Sequence, residues 1–332
     1  MSPDAVAELE ERLGKLRRGV SALRRSIAAR FHGQREAVES LLSCLLAGGH
    51  ALLEGAPGLG KTTLVRSLSD ALELGYRRVQ FTPDLMPADI LGTRILESDP
   101  GGGHHFVFER GPIFTQVLLA DEVNRATPRT QSALLEAMQE RQVTMHGETL
   151  ALEEPFCVIA TQNPIEMEGT YPLPEAQLDR FLARIELRSP NEQELIEILD
   201  ATTGADEGEV ERCLTRAEVL AMRALVREVP VSSDLLALVA RLILRTNPED
   251  PGAPAEIKRC VRWGASPRGG QAILLLAKTR ALLQDRVHVA AEDVEAVAPP
   301  ALRHRLVYGY EGEASGVHPD ELVRAALEAA RG

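Results

Sequence analysis

Apolar residues change their spacing twice along this 332-residue chain. Near the start, Val6, Leu9, Leu13, Leu16, Val20 and Leu23 recur at three- and four-residue intervals, which predicts an amphipathic helix or two across residues 4–30. Residues 36–46 continue helical. The pattern then breaks into short apolar runs at 51–54, 78–81, 117–120, 156–160 and 184–187. Runs without alternation suit strands buried on both faces. A helix with apolar face Leu64, Val65, Leu68, Ala71 and Leu72 follows the first run. Another, between the third and fourth, opens with Thr127 as cap and Pro128 in its first position. Strands alternating with helices predict a parallel α/β sheet.

Two segments interrupt that rhythm. Residues 93–108 read as a hairpin around Asp99-Pro100-Gly101-Gly102-Gly103, and residues 141–153 as a second turning near His146-Gly147. After Pro190 the strand signals stop. Thr215 and Glu218 have the spacing of a capping box, and helical patterns follow at 216–228, 233–245, 267–284, 291–298 and 319–330. This predicts an α/β domain over residues 1–190 and an all-helical domain over 191–332.

Composition narrows the picture. Apolar residues make up 44% and charged residues 26%, which excludes a disordered, collagenous or membrane-embedded chain. The net charge of −12 argues against a broadly basic surface that grips nucleic acid. Cys44, Cys157, Cys213 and Cys260 are far apart in sequence and show no ligand spacing, as expected of reduced thiols. The N-terminal region is charged rather than apolar, and the apolar run at 41–53 is interrupted and too short to span a bilayer. A cytoplasmic protein is expected.

Candidate chemistry begins at Gly55-Ala56-Pro57-Gly58-Leu59-Gly60-Lys61-Thr62, which matches G-x-x-x-x-G-K-[ST] between a predicted strand and a predicted helix. Glycines there let backbone N–H groups turn toward phosphate oxygens, and the helix N-terminus adds its dipole. Lys61 is suited to the β- and γ-phosphates and the Thr62 hydroxyl to Mg²⁺. A lysine in a first helical turn opposes the dipole, a cost that a bound polyanion removes. The third strand ends in Asp121 and Glu122. Paired carboxylates at the end of a buried strand repel unless a cation is near. Asp121 is the candidate metal ligand, and Glu122 the candidate base that orients and deprotonates a water. Asn163 follows the fourth strand, where a parallel sheet presents groups to a ligand; it reads equally as a phosphate or water contact or as a turn residue before proline.

Ser266-Pro267-Arg268 opens a helix with an arginine in its first turn, again against the dipole. Arg268 is a candidate phosphate sensor or a solvated surface arginine. Arg180, Arg184 and Arg188 follow Leu178-Asp179 at four-residue spacing, which would align them on one face if helical. They are solvated charges, or one is an arginine finger for a neighbouring subunit.

Taken together, these stretches resemble the MoxR family of AAA+ ATPases, in the clade with a helix-2 insert. The likeness runs through residues 55–62, 119–126, 130–141, 160–164, 171–181 and 264–268. It implies a P-loop core with strand order 5-1-4-3-2 and a helical lid. It implies nucleotide contacts from Gly33, Gln34, Gly55, Ala56, Pro57, Gly58, Leu59, Gly60, Lys61, Thr62 and Thr63, with ATP or ADP and Mg²⁺ bound. Thr62 and Asp121 would hold the metal, with Glu122 and Asn163 as catalytic base and first sensor. Arg268 would be the second sensor, and Arg180 the finger with Arg184 as runner-up. The hairpins correspond to the helix-2 insert and the pre-sensor-1 hairpin, and His32 occupies the place of a usual hydrophobic residue before Gly33. Family members typically form hexameric rings and act as chaperones that mature or insert metal into partner enzymes, often with a von Willebrand factor A domain protein. A magnesium-chelatase-like motor and a nucleic-acid motor of the same clade are the alternatives.

Overall fold

The structure is a computed structural model that describes residues 3–98, 103–145, 147–163, 169–203 and 209–332, with the backbone alone for 3–12. The first hairpin's tip at 99–102, His146 in the second turn, and Pro164 lie outside the described residues. Five parallel strands form the central sheet: β1 (Ala51–Glu54), β2 (Tyr76–Gln80), β3 (Val117–Asp121), β4 (Cys157–Gln162) and β5 (Ala183–Glu186). Their spatial order is β2-β3-β4-β1-β5, the expected 5-1-4-3-2 read from the other edge.

The three inner strands are buried on both faces because alternate side chains feed two separate cores. Ala51 and Leu53, Val117 and Leu119, and Cys157 and Ile159 point into one core. Leu52, Leu118, Ala120, Val158 and Ala160 point into the other, with Leu134, Leu135 and Met138 of helix Pro128–Glu140. The outer strands depart from the expectation of double burial. On β2 only Val79 is buried, while Arg77, Arg78 and Gln80 are exposed, as suits an edge.

Helix Pro3–Ala28 lays Leu16, Val20, Leu23 and Ile27 onto the first core, beside helices Arg35–Ala47 and Lys61–Ala71. The same core runs on without a break into the C-terminal helices through Leu276, Val294 and Ala298. Both expected hairpins are present, as Gly92–Ser98 with His104–Arg110 and as Gln142–Met145 with Glu148–Ala151. The Arg94 guanidinium donates to Glu148 at 2.5 Å and ties one hairpin to the other.

The lid follows the predicted helices, with differences. Thr215 and Glu218 make the reciprocal capping box, at 3.3 and 2.8 Å. Helix Ala291–Leu302 runs past the expected stop at residue 298, through Pro299 and Pro300. Pro299 and Pro300 have no N–H for the carbonyls of Glu295 and Ala296, but Pro299 O still accepts from Arg303 N at 2.9 Å. Val261–Trp263 and Val307–Tyr308 form a short antiparallel ladder, so among its described residues the lid is not the all-helical domain expected. Helix Glu192–Thr203 had no counterpart among the predicted elements, and none of its residues is buried. Thr127 does sit at a helix N-cap, but its hydroxyl meets the Thr130 hydroxyl at 3.3 Å rather than a backbone N–H. All four cysteines are free thiols, three of them buried. No helix among the described residues is long and apolar enough to cross a membrane.

His50, just ahead of β1, is 7% exposed. Its Nδ1 accepts from Val158 N–H at 2.9 Å, so its Nε2 carries the proton and donates to Met138 O at 3.1 Å. Burial lowers its pKa from the usual 6.5 to about 4. Between those values the unfolded chain binds a proton that the folded chain refuses. The stabilisation is therefore complete above pH 6.5 and is lost as pH falls toward 4. The thermal midpoint is expected to decline over that window, and a His50→Gln variant should show a flatter profile there; equal slopes would contradict the assignment.

Candidate functional site

The carboxyl edge of the sheet gathers the motif residues. β1 ends at Glu54, and the loop 55–60 leads straight into helix Lys61–Ala71. Gly58 and Gly60 have φ of +83° and +76°, a region that costs other residues about 1–2 kcal/mol. A Cβ at Gly60 would also sit 3.1 Å from the ring of Phe31. The first turn holds Lys61, Thr62 and Thr63 and no acidic residue, which leaves the dipole's positive end uncompensated by side chains. Lys61 Nζ donates to the loop's own Gly55 carbonyl at 2.6 Å. Pro57 and Gly58 are exposed at the crest of the loop, while Leu59 packs against the core below it.

Gly33 and Gln34 have φ of +72° and +49° and cap helix Arg35–Ala47. Gln34 N donates to Glu194 at 3.2 Å, and Gln34 Oε1 accepts from Arg188 N at 3.2 Å. Backbone donors at Asn191 and Gln34 hold Glu194 below the usual carboxylate range. The hydrophobic residue of this segment is Phe31, one place before His32. It is buried and backs onto Gly60.

β3 delivers Asp121 and Glu122 to the same edge. Asp121 is 7% exposed. Its Oδ1 accepts from the Thr161 hydroxyl at 2.6 Å, and its Oδ2 from Arg78 Nε and Nη2 at 3.0 and 2.5 Å. Glu122 adopts φ +56°, a strained turn for a non-glycine residue at the strand end. Its N–H donates to Thr161 Oγ1 at 2.8 Å. Its carboxylate accepts from Gln80 Nε2 at 2.8 Å and Arg125 at 3.0 Å. Asn163 follows β4, 4% exposed, at the same edge. Arg78, Gln80 and Thr161 were not read from the sequence. Arg78 and Gln80 stand two apart and share a strand face, a signal that gains meaning only beside β3.

Magnesium fits this donor set. The Asp121 carboxylate already has a guanidinium as a stand-in cation, and the exposed Thr62 hydroxyl adds a second hard oxygen. Among the described residues no cluster of three or more His, Cys, Asp or Glu side chains could hold a metal unaided. A site completed by phosphate oxygens and water is consistent with that.

The arginines go elsewhere. Arg180, Arg184 and Arg188 do not share a helical face, because 183–186 is β5. Arg184 pairs with Glu54 at 2.5 Å inside its own chain, where burial raises the Glu54 pKa and Arg184 opposes the rise. Arg180 donates to Leu135 O at 2.7 Å. Arg268 is not beside the phosphate loop. Its guanidinium lies 3.8 Å from Asp179, which precedes β5 at the amino edge of the sheet. Leu182 N bonds His50 O there, and Ala183 is level with Ala51, whereas Lys61 follows the far end of β1. Asp179 also accepts from Ser266 Oγ at 3.0 Å and Arg305 Nε at 2.8 Å, which docks the start of helix Pro267–Leu283 at that edge. A cavity of about 240 Å³ opens here, lined by His50, Asp179, Arg180, Gln271, Arg268 and Arg305.

A phosphate loop and a carboxylate pair on a five-stranded parallel sheet, with a helical lid, define an AAA ATPase. The model of the ATPase family associated with various cellular activities matches residues 50–183, and that of the AAA lid domain matches residues 253–326. A chaperone MoxR1 of Mycobacterium tuberculosis is 39% identical over 98% of this chain and 84% of its own length. A protein MoxR of Methylorubrum extorquens is 33% identical over 92% of each. A solved structure from Cytophaga hutchinsonii superposes with a TM-score of 0.91 at 36% identity, covering 98% of both chains. The chain belongs to the MoxR family.

Gly60→Ala combines a left-handed backbone with the Phe31 contact, whereas a Cβ at Gly58 meets nothing within 4 Å. By calorimetric titration with ADP, Gly60→Ala is expected to weaken binding by about tenfold or more and Gly58→Ala by less. The reverse ranking would contradict the fit described for the loop.

Proposed function

We propose that this chain is an Mg²⁺-dependent ATP hydrolase that works as a head-to-tail ring, hexameric as the family resemblance implies, and remodels a protein partner. One observation carries the reading: Lys61, Asp121, Glu122 and Asn163 lie at one edge of the sheet, while Arg180 and Arg268 lie at the other. In a head-to-tail contact one face of each copy meets a different face of the next. The amino-edge arginines then enter the neighbour's nucleotide site. Arg180 is the better finger candidate, because Arg184 is committed to Glu54.

On ATP binding, Lys61 exchanges the Gly55 carbonyl for β- and γ-phosphate oxygens, and amides of the loop and first turn surround the phosphates. Thr62 and Asp121 hold Mg²⁺, which neutralises phosphate charge. Glu122 aligns a water in line with the γ-phosphorus and takes its proton, with Asn163 positioning that water or the γ-phosphate. Arg180 and Arg268 of the neighbour stabilise charge in the transition state. The boundary at residue 190 then separates the hydrolytic domain from the lid it moves.

A protein client is favoured over nucleic acid by the first hairpin. Its cross-strand pair Leu96 and Phe106 is 57% and 68% exposed, an apolar rather than basic surface. Maturation or metal insertion in an enzyme, with a von Willebrand factor A domain partner, is the process proposed.

Glu122→Gln should bind ATP normally and lose turnover by two orders of magnitude or more in a phosphate-release assay; wild-type turnover would refute the assignment. Arg180→Ala should keep nucleotide affinity and lose turnover. Mixing it with Glu122→Gln should restore part of the rate, since some junctions then hold both intact groups. No recovery on mixing would mean that Arg180 does not serve a neighbour.

A further inference from the structure

Asp121 in this structure is committed to a side chain that the phosphate-binding motifs do not include. Arg78 lies on β2, level with Leu119 of β3 and diagonal to Asp121. Its Nε and Nη2 both reach Asp121 Oδ2, at 3.0 and 2.5 Å. The same Nη2 holds Gln80 Oε1 at 2.6 Å. The carboxylate is the anchored partner: its side chain is 10% exposed against 45% for Arg78, and the Thr161 hydroxyl fixes its other oxygen at 2.6 Å. A buried carboxylate left without a counter-charge is costly. The guanidinium meets that need when no metal is bound, on the oxygen left over by Thr161.

We infer that Arg78 is an internal counter-cation for Asp121, which Mg²⁺ entering with the nucleotide must displace. It is a positioning residue acting through Asp121. A divalent ion and a guanidinium on one carboxylate oxygen repel, so the two states exclude each other. The apparent metal affinity is the intrinsic affinity multiplied by the fraction of molecules in which Arg78 has let go. Arg78, being on the exposed edge strand, has solvent to swing into. Release also frees Gln80 from its bond to Arg78. The nucleotide-free protein is thereby kept folded at Asp121 without a metal, and the phosphates and metal are favoured to arrive together rather than the metal first. This rests on Asp121 being the metal-side carboxylate, as proposed above.

The test titrates Mn²⁺, counted by electron paramagnetic resonance, into the full-length protein with saturating ADP. Wild type, Arg78→Ala, Arg78→Lys and Asp121→Asn are compared, alongside thermal midpoints without nucleotide or divalent ion. Arg78→Ala is expected to lower the Mn²⁺ midpoint threefold or more while melting several degrees lower without ligand. Arg78→Lys keeps the charge but loses the two-point contact, so it should shift the Mn²⁺ midpoint the same way by less, and it serves if Arg78→Ala does not fold. A lower melting point with an unchanged or raised Mn²⁺ midpoint in the Arg78 variants would overturn the inference alone, leaving Arg78 a structural ion pair. Unchanged Mn²⁺ binding in Asp121→Asn would remove the metal assignment of Asp121 and this inference with it.

Discussion

A carboxylate buried at the end of a strand must be answered by positive charge or by hydrogen-bond donors, and Asp121 organises its neighbourhood around that need. β4 supplies the Thr161 hydroxyl and β2 supplies Arg78. Both strands flank β3, so the strand order is also the list of groups that can reach this acid. Glu122, one residue on, falls into a left-handed turn that carries it out of the strand and across to Gln80 and Arg125. The adjacent acids are thus split into a buried one held on three contacts and a more exposed one held by Gln80 and Arg125. The division suits metal ligation for one and base chemistry for the other.

The sheet also divides the molecule's charges. The candidate phosphate-binding groups collect at the carboxyl edge because every core strand is parallel. The amino edge gathers Arg180, Arg268 and Arg305 around Asp179, at a cavity of about 240 Å³ between core and lid. The lid is held there by many tethers. Arg305 reaches the carbonyls of Asp179 and Phe181, and Arg223 reaches Glu154. Docked this way, the lid keeps Arg268 at the edge away from Lys61.

Much of the architecture was legible in the chain. The runs at 51–54 and 117–120 read as inner strands because both of their faces are apolar, and burial on two faces tolerates no polar alternation. The glycine spacing of residues 55–60 read as a phosphate cradle because the needed backbone conformations are open to few other residues. The four-residue spacing of Arg180, Arg184 and Arg188 would have aligned them only in a helix; the run at 184–187 read as a strand, and 183–186 is one. The stop predicted at residue 298 failed although Pro299 and Pro300 offer no N–H to the carbonyls of Glu295 and Ala296; burial of Val297, Ala298, Ala301 and Leu302 in the core holds the helix through them.

Sequence alone therefore marked the candidate phosphate loop, the five strand runs and most of the helices, and an α/β part followed by a helical one. Those properties are local: they depend on backbone conformation and on the period of apolar side chains. Only the tertiary structure decided that Arg78 closes onto Asp121, that Phe31 backs Gly60, and that Arg268 sits at the far edge from Lys61. These placements depend on residues dozens of positions apart. They depend on which strand lies beside which and on where the lid docks, and neither leaves a mark on local spacing.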